Sequence, residues 1–104
     1  MSTLELENIK HPDNSGDNIA LASNGSITID RKSTDGTIAE FRKDGTAVGS
    51  IKVEGGDITV DGGSEHTGLR FEASQITPRH NGAYSNNYTG LGTASNRFKD
   101  LYLG

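Results

Sequence analysis

The chain of 104 residues contains no cysteine. A disulfide scaffold and a thiolate metal site are therefore excluded. The redox compartment stays open, although a cysteine-free chain suits a protein that persists outside a cell. Proline is scarce, at two residues beside fourteen glycines, so the chain is neither collagen-like nor a stiff linker. No apolar run approaches the ~18 residues of a membrane-spanning helix, and Met1-Ser2-Thr3-Leu4-Glu5 does not read as a signal peptide. Large apolar residues are also few. Leu, Ile, Val and Phe number 21, about a fifth of the chain, close to the composition at which folding fails. The net charge of -4 is too mild to enforce disorder. With Lys and Arg scattered along an acidic chain, it argues against nucleic-acid binding.

What the chain does contain is a ladder of short alternating segments between Ile38 and Phe71. Ile51-Lys52-Val53, Ile58-Thr59-Val60 and Leu69-Arg70-Phe71 each place two apolar side chains on one side of a strand. Asp44-Gly45, Gly55-Gly56-Asp57 and Asp61-Gly62-Gly63 stand between the rungs as tight turns. The expected class is all-β, built of short strands and Gly/Asp turns.

Outside the ladder, the alternation of Leu4 and Leu6 with Glu5 and Glu7 favours a strand in the stretch Met1 to His11. Pro12 and the polar cluster Asp13 to Asn18 then turn the chain. Ile19-Ala20-Leu21 and Ile27-Thr28-Ile29 flank Asn24-Gly25, which fits a type I′ hairpin. A second hairpin is expected at Asp44-Gly45. Thr77-Pro78 reads as a strand end, and Arg79 to Gly90 as an ordered polar loop with two tyrosines. Near the C-terminus, Ser95 or Asn96 could cap a short helical turn through Arg97 to Leu101. Leu101-Tyr102-Leu103 could equally be a closing strand. The chain reads as one domain, 1–104, with an arm and hairpin over 1–33, the β ladder over 34–78, and a loop and closing segment over 79–104.

Energetics add an oligomer. Ordering a residue costs roughly 1.5 kcal/mol, and apolar burial returns roughly 25 cal/mol per Å². Rungs with two apolar side chains, on a single sheet with one open face, recover little in a monomer. Copies that pack those faces together roughly double the return. The expected core residues are Ile51, Val53, Ile58, Val60, Leu69 and Phe71, joined by Phe98, Leu101, Tyr102 and Leu103 from the closing segment.

The tail, Leu91-Gly92-Thr93-Ala94-Ser95-Asn96-Arg97-Phe98-Lys99-Asp100-Leu101-Tyr102-Leu103, resembles a segment of tailed-phage tail fibres and tailspikes. In that family it lies upstream of a C-terminal self-cleaving chaperone domain. Ile76-Thr77-Pro78, Gly90-Leu91-Gly92 and the rung Asp44 to Ile51 are similar to the same family. Ile9 to Asp13 is similar to the starts of short fibre-like proteins of marine phages. Phe98 stands where the family often has tryptophan. Since the chain stops at Gly104, the chaperone domain is expected to have been removed, to be supplied separately, or to be dispensable. The resemblance implies a homotrimeric β fibre of the β-prism or triple β-helix type, with strands intertwined or side by side. It implies a virion location in the tail, extracellular after release. It also implies partnership with other virion tail proteins and contact with a host cell-surface glycan.

Chemistry-bearing residues are sparse. His11, His66 and His80 show no ligand spacing, so no metal site is expected beyond the remote case of one histidine per chain on a trimer axis. Asp57, Asp61 and Glu65, spaced by four, are expected to be solvated turn carboxylates. No nucleophile elbow, phosphate loop or zincin helix occurs, and the reading is of a non-enzymatic protein without cofactors or membrane insertion. Arg79, His80, Asn81, Tyr84, Asn86, Asn87 and Tyr88 combine flat aromatic faces with amides, a mixture suited to sugar recognition. The competing reading packs the tyrosines on a neighbouring chain. A small carbohydrate-binding β-sandwich module is the alternative to the fibre.

Overall fold

The computed structural model describes residues 3–104, and those residues contain no helix. Two antiparallel sheets are formed. The first joins β1 (Asn8–Ile9), β2 (Ile19–Leu21) and β3 (Ile27–Ile29) in the order β1-β2-β3. The second is a six-stranded meander of β4 (Gly36–Lys43), β5 (Thr46–Glu54), β6 (Asp57–Gly62), β7 (Thr67–Phe71), β8 (Ile76–His80) and β9 (Ala83–Tyr84). Its spatial order is the sequence order, so β4 and β9 are the edges.

Turn chemistry sets this meander. Asp44-Gly45, Gly55-Gly56 and Asn81-Gly82 each carry two consecutive positive φ angles, 48° and 82°, 56° and 88°, 50° and 76°. That is the type I′ geometry, which matches the twist of the flanking strands. The Asn24-Gly25 hairpin forms with a different turn. Gly25 alone has a positive φ there, and the Gly25 N–H donates to the Ala22 carbonyl at 2.9 Å. The loop is a three-residue connection ending in a left-handed glycine, not type I′.

Register then sorts the side chains. Across β5 to β8, one row runs Val53, Ile58, Phe71 and Ile76. The next runs Ile51, Val60, Leu69 and Pro78, with Ala39 of β4 beside Ile51. The opposite face carries Lys52, Thr59, Arg70 and Thr77 in one row, and Ser50, Asp61, Gly68 and Arg79 in another.

The sequence-based expectations for the strands and the two ends of the chain need five further corrections. Asp61 and Gly62 lie within β6, and the turn follows at Gly63; Asp61 has an ion-pair partner that holds it in the strand. Arg79 and His80 belong to β8 and hairpin onto β9, so Arg79 to Gly90 is not one loop. Pro78 sits inside β8 because its carbonyl points away from β7, toward the Ser85 N–H. Its nitrogen faces the same side, so no ladder bond to β7 is lost. The helical turn near the C-terminus is absent. Thr93 and Asn96 close a tight turn instead, with the Thr93 N–H on the Asn96 carbonyl at 2.8 Å and the Asn96 N–H on Thr93 Oγ1 at 2.9 Å. An isolated helical turn is costly to nucleate, and the apolar side chains that would hold it, Phe98, Leu101 and Tyr102, are 66% to 88% exposed. Finally, the first arm pairs only at Asn8–Ile9; Leu4 and Leu6 are outside any strand, and Met1 and Ser2 lie outside the described residues.

No apolar side chain is buried among the described residues. The accessible surface is 8533 Å², against about 5,600 Å² for a compact monomer of this mass. The radius of gyration is 17.7 Å, against about 13 Å for a compact chain of this length.

Candidate functional site

The polar face of the six-stranded sheet is where the chain completes its own chemistry. Arg79 points from β8 across Gly68 of β7 to Asp61 of β6. Its Nε donates to Asp61 Oδ1 at 2.8 Å and its Nη2 to Asp61 Oδ2 at 3.2 Å. Gly68 makes this reach possible: a Cβ there would stand 2.1 Å from Asp61 Oδ1 and 2.8 Å from the Val60 carbonyl. Nη1 and Nη2 of Arg79 also donate to Glu54 at 3.0 and 3.3 Å, and Nη2 donates to the Gly82 carbonyl at 2.7 Å. Every guanidinium nitrogen has an acceptor, so Arg79 tolerates an exposure of only 1%. The bonds to Asp61, more than those to Glu54, hold its pKa above the usual arginine range against the opposing effect of burial.

A second arginine extends the layer. Arg70 of β7 donates to Asp57 Oδ2 through Nε and Nη2 at 3.1 and 2.9 Å, and to Glu54 Oε2 through Nη1 at 3.3 Å. Glu54 thereby bridges both guanidiniums. Lys52 approaches Asp61 Oδ2 at 3.7 Å. Thr59, at the centre of the face, is fully buried, and its Oγ1 has no partner. Asp57 and Asp61 are thus ion-pair partners and not solvated turn residues. Glu65 does sit in a turn, with φ at 63°; its N–H donates to Asn81 Oδ1 at 3.1 Å. With their oxygens held by guanidiniums, Glu54, Asp57 and Asp61 serve as structural acceptors.

The structure divides the residues singled out for sugar recognition. Tyr84 lies on the polar face. Its hydroxyl donates to Glu72 Oε1 at 2.9 Å, and the Arg70 guanidinium stands 5.2 Å from its ring centre. Bonds from Gln75, Thr77 and Tyr84 hold the Glu72 carboxyl below the usual range, and the bond to Glu72 pushes the Tyr84 phenol up. His80 and Tyr88 are on the other side. His80 shares the face of Ile76 and Pro78 by strand alternation, and Tyr88 packs on its ring at a centroid distance of 4.2 Å. Arg79 is turned inward. Asn81 is consumed in its turn and in holding Glu65, while Asn86 and Asn87 are exposed. Only Tyr84 therefore combines with Arg70 and Glu72 on one surface; the seven residues do not converge.

The histidines are similarly local. His66 Nδ1 is 2.7 Å from the Ser64 carbonyl and His80 Nε2 is 2.9 Å from the Glu65 carbonyl, so both rings brace the turn after β6. His11 Nδ1 accepts from the Asp13 N–H at 3.2 Å. Among the described residues no three His, Asp or Glu side chains converge as metal ligands.

The opposite face offers area without partners. Ile58, Val60, Leu69 and Phe71 are 47%, 46%, 42% and 40% exposed, and Ile51 and Val53 are half-buried. The six expected core residues of the ladder thus share one continuous surface, flanked by Ile76 and Phe41. Phe98, Leu101, Tyr102 and Leu103 are apart from it and still more open, at 66% to 88%. The register argument could find the face; the Arg79–Asp61 pair was missed because its signal depends on reading Thr77 to Arg79 as strand. No family model, curated protein or solved structure matches this chain.

Proposed function

We propose that the chain is a non-enzymatic structural protein of the phage tail-fibre type. It assembles as a homotrimer in which the apolar faces of three six-stranded sheets meet about a common axis, and it serves in virion structure or host attachment. One observation carries the reading: a continuous face of Ile51, Val53, Ile58, Val60, Leu69 and Phe71 over which no other element packs among the described residues. Exposed apolar patches of this kind mark interaction surfaces.

The area agrees. The chain exposes about 2,900 Å² more than a compact monomer of its mass, area that association of copies can cover. A second copy is the favoured occupant, because a closed ring of identical chains needs no other protein to complete it. The number three, the virion setting and the host-glycan contact rest on the resemblance of the tail segment. The monomeric β-sandwich alternative is disfavoured, since among the described residues no second layer packs on the sheet's apolar side.

Native mass spectrometry across a dilution series tests the assembly. The expected species is about 33 kDa, three times the 11.0 kDa chain. A folded 11 kDa species that persists on dilution overturns it. Gold-labelled antibody against the chain should then mark particle tails; labelling absent from particles overturns the virion role.

A further inference from the structure

At opposite edges of the six-stranded sheet stand a strand paired on one side only and a segment that joins no strand. β4 is one edge, eight residues long; the Thr37 carbonyl accepts from Arg31 Nη1 at 2.9 Å, and no further strand lies beyond Ala39 to Lys43 among the described residues. The C-terminal segment departs from the other edge, after β9, which is only two residues long. Leu101, Tyr102 and Leu103 are 68%, 88% and 82% exposed and form no strand within the chain. When copies stand side by side in a closed ring, the β9 edge of one faces the β4 edge of the next.

We propose that residues 99–103 of one copy add as a further strand to the β4 edge of its neighbour. The inference rests on the self-assembly reading above and specifies the contact that closes the ring. A long unpaired edge is a ready template for another strand. The alternation of the tail fits the two faces it would extend. Leu101 and Leu103 fall on one side, where Ala39 and Phe41 of β4 continue the apolar rows. Asp100 and Tyr102 fall on the other, where Glu40 and Arg42 pair with each other at 2.6 Å. Phe41 is 54% exposed and stands opposite Gly49, so no cross-strand side chain covers it within the chain. β4 also bears two register shifts, at Thr37/Ala39 and Phe41/Arg42. Such bulges restrict which strand an edge accepts, which suits one dedicated segment over open-ended stacking.

The absence of native cysteine makes this testable by cross-linking in the full-length chain. Four variants pair Ala39→Cys or Phe41→Cys with Leu101→Cys or Leu103→Cys, so that a two-residue difference in register is tolerated. After mild oxidation, at least one pair should give linked dimers and trimers on a non-reducing gel, while the single-cysteine chains give none. A monomeric band with its thiols consumed overturns the proposal in favour of a tail folded onto its own sheet. Free thiols in all four pairs, with a native mass still at the oligomer, overturn the strand addition and leave the assembly standing. Free thiols with a native mass of one chain overturn both. Hydrogen exchange of the unsubstituted protein checks the same contact without substitution. The outward amides of β4 should be protected at least tenfold over free-chain rates, and exchange at the free-chain rate overturns the proposal.

Discussion

On one face of the six-stranded sheet, Arg79 and Asp61 are 1% and 5% exposed and bonded to each other. On the other, Val60 and Leu69, the strand neighbours of Asp61 and Gly68, are 46% and 42% exposed and touch only their neighbours in the same sheet face. A monomeric domain has the reverse arrangement, with apolar groups inside and ions in water. The difference follows from the physics of the two interactions. Ion pairs and hydrogen bonds are directional, and a buried one left incomplete costs several kcal/mol, so they are best closed within the chain. Apolar burial is non-directional and scales with area, so it can be deferred until another copy supplies the surface. In the proposed assembly, rigidity comes from the polar side and association from the apolar side.

The sharpest way to break this contrast is to give the apolar face a charge. Val60→Asp would place a carboxylate from each copy into the shared core, where an unpaired ion is far more costly than the lost side-chain area. Native mass should fall from the oligomer to the 11.0 kDa chain. An oligomer that survives the substitution would mean that the face is not the contact.

The next largest effect belongs to the polar face. Arg79→Ala leaves Asp61 buried, with Lys52 at 3.7 Å as its nearest remaining cation. Removing one partner of a buried pair costs about 3–5 kcal/mol. Arg79→Lys should restore little, because one ammonium cannot reproduce the forked contact with Asp61 while also reaching Glu54 and Gly82. The urea midpoint of the oligomer is the readout. Arg79→Met combined with Asp61→Leu should recover most of the loss, since it removes both charges together. If Arg79→Ala costs less than about 1 kcal/mol, the pair behaves as an exposed one and the faces do not differ as described.

How much of this contrast the sequence disclosed depended on the range of each interaction. The alternation at Ile51-Lys52-Val53 and Ile58-Thr59-Val60 is local, and both the strands and their shared apolar face follow from it. The turns at Asp44-Gly45 and Gly55-Gly56 were equally legible. Asn81-Gly82 carried the same signal, but it lay inside a polar stretch and was read as loop. Once β8 is absorbed into a loop, Arg79 has no face, and its pairing with Asp61 across Gly68 cannot be seen. The same omission grouped Tyr84 with Tyr88. Four residues apart, they look like one patch, yet the turn places them on opposite sides of the sheet. The helical turn near Phe98 fails for a different reason: its spacing is suitable, but among the described residues its apolar side chains find no surface to pack against.

The smallest expected effect concerns the rim of the polar face, where the contacts are exposed. Glu72 accepts from Gln75 Nε2 at 3.1 Å, Thr77 Oγ1 at 2.9 Å and the Tyr84 hydroxyl at 2.9 Å. These bonds favour the carboxylate and lower its pKa in the folded chain. A carboxyl with a lowered folded pKa contributes stability above its unfolded value, about 4.3, and loses it as pH falls through the folded value. Tyr84 has the opposite sign. Its pKa is raised, so its contribution is full below the ordinary tyrosine value near 10 and fades above it. The contact should therefore be constant between about pH 5 and 9 and weaken only beyond those limits. Glu72→Gln should abolish the acid limb in the Tyr84 ring resonances while leaving the native mass unchanged, because no apolar contact of the other face depends on it. If acid below pH 4 dissociates the oligomer of Glu72→Gln as readily as that of the unsubstituted chain, the acid sensitivity belongs to other carboxylates.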